Sequence, residues 1–160
     1  MTERRTIGIS ERYLSRKADD LLVTHALGSC VGVAIHDPVA MVGGILHYML
    51  PNGSLDATKA QENPFMFGDT GIPAFFKEAY AMGASKERLR VVIAGGARVI
   101  ESVQSLDIGA RNVVIARKLF WKNGVLIAAE DVEGNRPRTL FLEVATGRTW
   151  FTSRGEVHEL

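Results

Sequence analysis

The sequence contains a single cysteine, Cys30, and only four histidines among 160 residues. A lone thiol excludes an internal disulfide framework and any zinc site built from several cysteines of one chain. It is also the state that a reducing compartment preserves. An excess of one charge is missing too: nineteen Lys and Arg face eighteen Asp and Glu, a formal +1. That balance excludes a protein holding nucleic acid or an anionic membrane mainly through overall charge. No run of about eighteen apolar residues occurs, and Met1-Thr2-Glu3-Arg4-Arg5 lacks the apolar centre of a secretory signal. A cytoplasmic chain without membrane insertion is expected. There is no internal repeat, low-complexity tract or linker, and the length suits one domain, 1–160, with an ordinary core. Gly95-Gly96 is followed by neither Lys-Ser nor Lys-Thr, so the phosphate-loop pattern is absent, as is a dinucleotide fingerprint.

What is present centres on Thr24-His25-Ala26-Leu27-Gly28-Ser29-Cys30 and the hairpin it opens. Val31, Val33 and Ile35 alternate with Gly32, Ala34 and His36, the period of a half-buried strand. Met41 to Leu50 is apolar almost throughout. Between the two runs, Asp37-Pro38-Val39-Ala40 has Asp and Pro at the first two positions of a type I turn. If these four residues form the loop, His36 faces Met41 and Cys30 faces His47. Directly opposed side chains have Cβ atoms roughly 4.5–5.5 Å apart, which brings a thiol within reach of an imidazole. A bulge at Gly43-Gly44 would instead set Tyr48 opposite Cys30. A thiolate is a nucleophile and imidazole can take the thiol proton. The plainer alternative is a small buried cysteine and a hydrogen-bonded core histidine.

Elsewhere, short extended runs are expected at Thr6–Ile9, Tyr13–Leu14 and Leu21–Val23. Residues 54–69 read as polar or irregular, with Asn63-Pro64 breaking any helix begun at Leu55-Asp56-Ala57; so long a loop is usually functional or mobile. Thr70 is a candidate cap for a helix with Pro73 in its first turn, a stripe of Ile72, Phe75, Phe76, Ala79 and Met82, and a stop at Gly83. Arg88–Ala94 reads as a strand leading into Gly95-Gly96-Ala97, where the chain bends or something approaches its backbone. Val99–Leu106 is ambiguous, and Asn112–Lys122 is a second helix with Val113, Ala116 and Phe120 inward. Val125–Ala129, Thr139–Val144 and Thr149–Thr152 close the chain as strands. Strands clustered early and late around two helices indicate an α+β or layered α/β domain, with the sheet completed by non-local pairing.

Metal binding by His25, His36 and His47 is disfavoured, since no pair has the spacing that sets ligands on one helix. His158 falls in a polar tail and is expected to be solvated. Asp69 is placed to favour a helix N-terminus through its carboxylate. A thiol–imidazole pair needs a third group to orient the ring, and Thr24 is the candidate, the alternative being an ordinary strand threonine. Backbone N–H groups around Gly28-Ser29-Cys30 would supply an oxyanion hole.

Together Leu27-Gly28-Ser29-Cys30-Val31, Asp37-Pro38, Gly43-Gly44, His47-Tyr48-Met49-Leu50-Pro51, Phe67-Gly68-Asp69, Gly95-Gly96-Ala97 and Ile108-Gly109-Ala110-Arg111-Asn112 resemble the CheD family of chemoreceptor glutamine deamidases, from about Ile7 to Val144. The resemblance implies hydrolysis of selected glutamine side-chain amides on methyl-accepting chemotaxis proteins, giving glutamate and ammonia without a cofactor. It implies a catalytic set of Cys30, His47 and Thr24, and a layered sandwich of two mostly antiparallel sheets with helices packed outside. A CheC-type phosphatase is an implied partner. Phe67 stands where the family tends to tyrosine, Ile93-Ala94 where it tends to a lysine, and Glu133-Gly134-Asn135-Arg136 where it has a Gly-Gly pair. Phe67, Gly68, Asp69, Gly95 and Gly96 are accordingly read as substrate- or partner-docking positions. Two other functions fit the same residues: an interaction module binding receptor and phosphatase with little catalysis, and a hydrolase of receptor glutamyl methyl esters.

Overall fold

The computed structural model describes residues 2–98 and 107–160, so the ambiguous Val99–Leu106 stretch lies outside the described residues. Within them the alternating runs become ten strands: β1 Glu3–Ile7, β2 Glu11–Ser15, β3 Asp20–Leu27, β4 Val31–Asp37, β5 Val42–Tyr48, β6 Arg90–Gly95, β7 Ile127–Val132, β8 Arg138–Glu143, β9 Thr149–Ser153 and β10 Glu156–Glu159. Three α-helices join them: α1 Ala57–Glu62, α2 Gly68–Ala81 and α3 Ile108–Lys122. One sheet has the order β1-β3-β8-β9-β10 and the other β2-β5-β4-β6-β7. Only β1 with β3 and β6 with β7 pair in parallel; the remaining pairs are antiparallel. The expected sandwich of two mostly antiparallel sheets is therefore what forms, in one α+β unit.

Strand β4 explains the layering. It is central in its sheet and buried along its whole length. Val31, Val33 and Ile35 face a core shared with Ile72, Phe75, Phe76, Val113, Ala116 and Phe120 of α2 and α3. Ala34 and Cys30 face a second core, between the sheets, with Leu22, Leu27, Ile45, Ala94, Leu140 and Phe151. Alternation thus sends odd residues to the helices and even residues to the opposite sheet.

The hairpin loop differs from the expected one. Asp37 joins the ladder opposite Val42 and His36 opposite Gly43, so the loop is Pro38–Met41, with Met41 at φ 56°. Asp37 is fully buried; its carboxylate accepts the N–H groups of Val39 at 2.9 Å, Ala40 at 3.0 Å and Ser85 at 2.9 Å, and an Arg88 ion pair at 3.0 Å. Burial opposes the charge, but Arg88 and the three N–H groups outweigh it and hold the carboxyl well below the usual range. The Asp37 side chain therefore fixes both the turn and the register behind it. Arg88→Ala, which leaves a buried carboxylate without its counter-ion, is expected to lower the unfolding free energy by about 2 kcal/mol. The measurement is a lower urea midpoint at unchanged slope.

Other departures have local causes. The 54–69 stretch is not irregular: α1 starts at Ala57 with the Asp56 carboxylate accepting the Lys59 N–H, ends before Asn63-Pro64 as expected, and is flanked by 3₁₀ turns. Helix α2 begins at Gly68 and not after Thr70, whose hydroxyl donates to the Pro64 carbonyl at 2.6 Å. Asp69 lies in the first turn of α2, and its carboxylate accepts the Gly53 N–H at 2.7 Å. Helix α3 starts four residues before the expected Asn112, through Gly109; a Cβ there would lie 2.5 Å from the Ala97 carbonyl oxygen. His158 is not in a solvated tail. It lies in β10 and stacks on Phe151 with centroids 4.8 Å apart.

Candidate active site

Thr24 on β3 and His47 on β5 come from different sheets, and both are fully buried. Thr24 Oγ1 lies 2.7 Å from the Ile7 carbonyl oxygen and 2.7 Å from His47 Nδ1. A carbonyl oxygen only accepts, so the single hydroxyl proton of Thr24 is donated to Ile7. The hydroxyl oxygen must then accept from His47, which puts the imidazole proton on Nδ1. His47 Nε2 consequently bears a lone pair, buried and without a hydrogen-bond partner among the described residues. A bare Nε2 with Nδ1 locked by a second group is the tautomer of a general base.

Cys30 ends a tight turn between β3 and β4. Ala26 sits at φ 60°, beside a register break of β3 against β8 between Thr24 and Leu27, and the Gly28 N–H folds back to the Ala26 carbonyl at 3.0 Å. Each carbonyl of the Gly28-Ser29-Cys30 turn has an outside donor. Gly28 accepts from the Ala97 N–H at 2.8 Å, Ser29 from Asn112 Nδ2 at 2.9 Å and Cys30 from the Gly96 N–H at 2.8 Å. The N–H groups of Ser29 and Cys30 donate to no other described residue. They are the pair available for an oxyanion. The close approach expected at Gly95-Gly96 is to this turn: a Cβ on Gly95, at φ 110°, would lie 2.3 Å from the Cys30 carbonyl oxygen.

Cys30 is not opposite His47. Gly32 is, with Tyr48 opposite Val31, because Asp37 entered the ladder and moved the pairing by two residues. A shift of two preserves the face, whereas a shift of one reverses it. Cys30 and His47 therefore still lie on the same side of the sheet, Cys30 just past the strand end. Nε2 has no partner, so Sγ and Nε2 are not hydrogen-bonded in this arrangement. Burial pushes the Cys30 thiol up to about 11 and holds the His47 imidazole down at about 4. The pair at neutral pH is thus a thiol beside an imidazole with a free lone pair, rather than a preformed ion pair.

The remaining expected positions divide. Gly28 and Ser29 are half-buried in the turn, while Gly95 and Gly96 support it from below. Phe67 is fully buried and bridges to Leu50, and a Cβ on Gly68 would meet the Tyr48 ring at 2.9 Å. These two lie behind the His47 strand and offer no side chain to a partner. His25 is exposed, and His36 donates its Nε2–H to the Val144 carbonyl, 2.8 Å away. No group of three metal-ligating side chains occurs among the described residues. One contributor has no functional signal in the sequence: Asn112, there only the start of a helix and the end of a motif, reaches both the Ser29 and Met49 carbonyls.

His47 also makes acid sensitivity predictable. With its folded value near 4 against an ordinary 6.5, the unfolded chain binds a proton that the folded one does not. Stability therefore falls as pH drops from about 6.5 to about 4, by on the order of 3 kcal/mol for this fully buried ring. Urea midpoints across that window should slope for the wild type and flatten for His47→Gln.

Among the described residues no helix is long and apolar enough to cross a membrane. The family described as CheD chemotactic sensory transduction matches residues 49–153, a segment that begins just after His47. Matches to individual proteins extend over the hairpin as well. The chain is 50% identical to a probable chemoreceptor glutamine deamidase CheD of Syntrophus aciditrophicus, over 93% of both chains. It is 42% identical to one of Solibacter usitatus, over 96% of this chain and 91% of that one. An archaeal relative so named, from Pyrococcus abyssi, is 38% identical over 92% of this chain and 90% of its own. With a matching family profile and relatives this similar end to end, the chain belongs to the CheD family.

Proposed function

We propose that this chain is a chemoreceptor glutamine deamidase, converting selected glutamine side chains of methyl-accepting chemotaxis proteins to glutamate. The names of its relatives give the substrate class, and the Thr24-locked His47 tautomer is the observation that carries the chemistry. Nε2 takes the Cys30 proton as Sγ attacks the carboxamide carbon, and the N–H groups of Ser29 and Cys30 face the developing oxyanion. The imidazolium then protonates the departing nitrogen, and ammonia leaves a thioester. Water attacks that thioester with Nε2 as base, releasing glutamate and returning the proton to Cys30. No step needs a metal or cofactor. Sγ and Nε2 must close to hydrogen-bond distance when substrate binds, a tightening common to apo sites of this kind.

A cytoplasmic location follows from the substrate, and a CheC-type phosphatase is the further partner the reading includes. The second reading, a binding module with little catalysis, draws on the high Cys30 thiol and the absent Sγ–Nε2 bond. Peptide mass spectrometry of a glutamine-bearing receptor fragment separates them. Conversion of defined glutamines by the wild type and not by His47→Ala supports the deamidase. Tight binding of the fragment with no conversion by any form supports the module. A fragment carrying glutamyl methyl esters at the same sites tests for ester hydrolysis in parallel.

A further inference from the structure

Two backbone segments must keep a fixed separation for Cys30 and His47 to meet: the Gly28-Ser29-Cys30 turn and the end of β5. Both lie at the open end of one hairpin, whose ladder begins only at Val31 with Tyr48. Beyond that last rung the two segments are bridged by Asn112. Its Nδ2 donates to the Ser29 carbonyl at 2.9 Å and to the Met49 carbonyl at 3.0 Å, one residue before the thiol and two after the imidazole. Both amide protons are used, one on each segment. The amide is fully buried on α3, and the Tyr48 hydroxyl donates to the Asn112 backbone carbonyl at 2.5 Å, tying the strand back to the same residue.

The arrangement is a poor one for stability alone. Asn112 Oδ1 is buried with no partner among the described residues, a state that costs the desolvation of that oxygen without a compensating hydrogen bond. An apolar side chain would avoid that penalty but could not bridge two carbonyls. Sites that break a local rule in this way are where function is expected to hold the residue. Gly109, one turn earlier on α3, seats the helix directly against Gly96 and Ala97, which themselves hold the turn. Asn112 is thereby delivered by a helix that is rigidly packed on the Cys30 turn.

We infer that Asn112 is a positioning residue whose side-chain amide sets the distance and alignment between the Cys30 thiol and the His47 imidazole. This rests on the proposed Cys30–His47 pairing, and the test reads that pairing directly, without a receptor. The rate of Cys30 alkylation by iodoacetamide, whose carboxamide stands in for that of glutamine, is measured from pH 3 to 10 on the full chain. Samples are wild type, His47→Ala, Asn112→Asp, Asn112→Ala and Tyr48→Phe, each held well below its own melting temperature. A His47-dependent inflection near pH 4, where the buried imidazole takes up a proton, is expected in the wild type. Asn112→Asp, which keeps the shape but loses both donors, is expected to give the His47→Ala profile. Asn112→Ala should do likewise, and Tyr48→Phe should shift the profile part of the way. On a receptor fragment the Asn112 variants should lose about 10²-fold in kcat with KM little changed. A lowered melting temperature with the wild-type alkylation profile intact in both Asn112 variants would overturn the inference, leaving Asn112 a structural residue. An inflection absent from the wild type would overturn it too, because there would be no coupling to set. Coupling that depends on Asn112 with no deamidation by the wild type would sustain it and sink the proposed reaction instead.

Discussion

Cys30→Ala is expected to abolish glutamine conversion on a chemoreceptor fragment, and Cys30→Ser to leave no more than a trace. Removing the nucleophile of an acyl-transfer site typically lowers kcat by about 10⁴–10⁶, leaving only what binding and the oxyanion donors supply. Serine does not rescue the reaction. Nε2 here belongs to a buried imidazole held near 4, too weak a base to activate an alcohol, whereas a thiol is nearer in acidity even when pushed up to about 11. The fold should survive either change. Cys30 is a small side chain at the edge of the inter-sheet core, still 8% exposed, and its turn is held through backbone carbonyls by Gly96, Ala97 and Asn112. The alanine variant is therefore expected to lose about 1 kcal/mol of stability at most. Wild-type receptor binding with conversion gone identifies Cys30 as the reacting group; conversion retained in Cys30→Ala would remove the thiol mechanism altogether.

How far the site can be read from sequence is decided by parity. The hairpin loop was expected one residue too early, and the pairing of β4 with β5 is displaced by two. Because side chains alternate with period two, Cys30 and His47 stay on one face all the same, so the misplaced rung leaves the same two residues on one side of the sheet. Asp37 is the cause of the displacement. Its carboxylate reaches forward to Val39 and Ala40 and outward to Ser85 and Arg88, a tertiary bond set that no local turn rule contains. The helix of Phe75, Phe76 and Ala79 is legible for the ordinary reason that an apolar stripe at 3.6 spacing needs a core to face. The start of α3 is not, because Gly109 weakens the local helix signal for a close approach visible only in three dimensions. Strand β10 is an edge strand with exposed Glu156, Val157 and Glu159, so only its contact with Phe151 distinguishes it from a tail. What sequence hides most completely is the hydrogen-bond direction at Thr24. That direction depends on the Ile7 carbonyl arriving beside it through the parallel pairing of β1 with β3, a contact between residues seventeen apart.

That direction makes Thr24→Val the most informative substitution after the nucleophile. Valine keeps the shape and the β-branch that suits β3, but it removes the proton given to Ile7 and the oxygen that receives the His47 Nδ1–H. Two effects follow. Buried groups lose their partners, which costs about 1–3 kcal/mol and lowers the urea midpoint. The imidazole is also released from its tautomer, and any population with the proton on Nε2 cannot take the proton of Cys30. Loss of the orienting group in the comparable triad lowers kcat by about 10⁴, and about 10²–10⁴ is expected here, since Thr24 supplies a neutral oxygen where that triad has a carboxylate. KM should change little, because Thr24 is fully buried beneath His47 and out of reach of a receptor. Thr24→Ser separates the two effects. It restores the hydroxyl with the same donor and acceptor but gives up a buried methyl, so it should recover most of the rate while remaining less stable than the wild type by about 1 kcal/mol. A Thr24→Ser variant as inactive as Thr24→Val would mean that packing beneath His47, and not the direction of one hydroxyl proton, is what Thr24 provides.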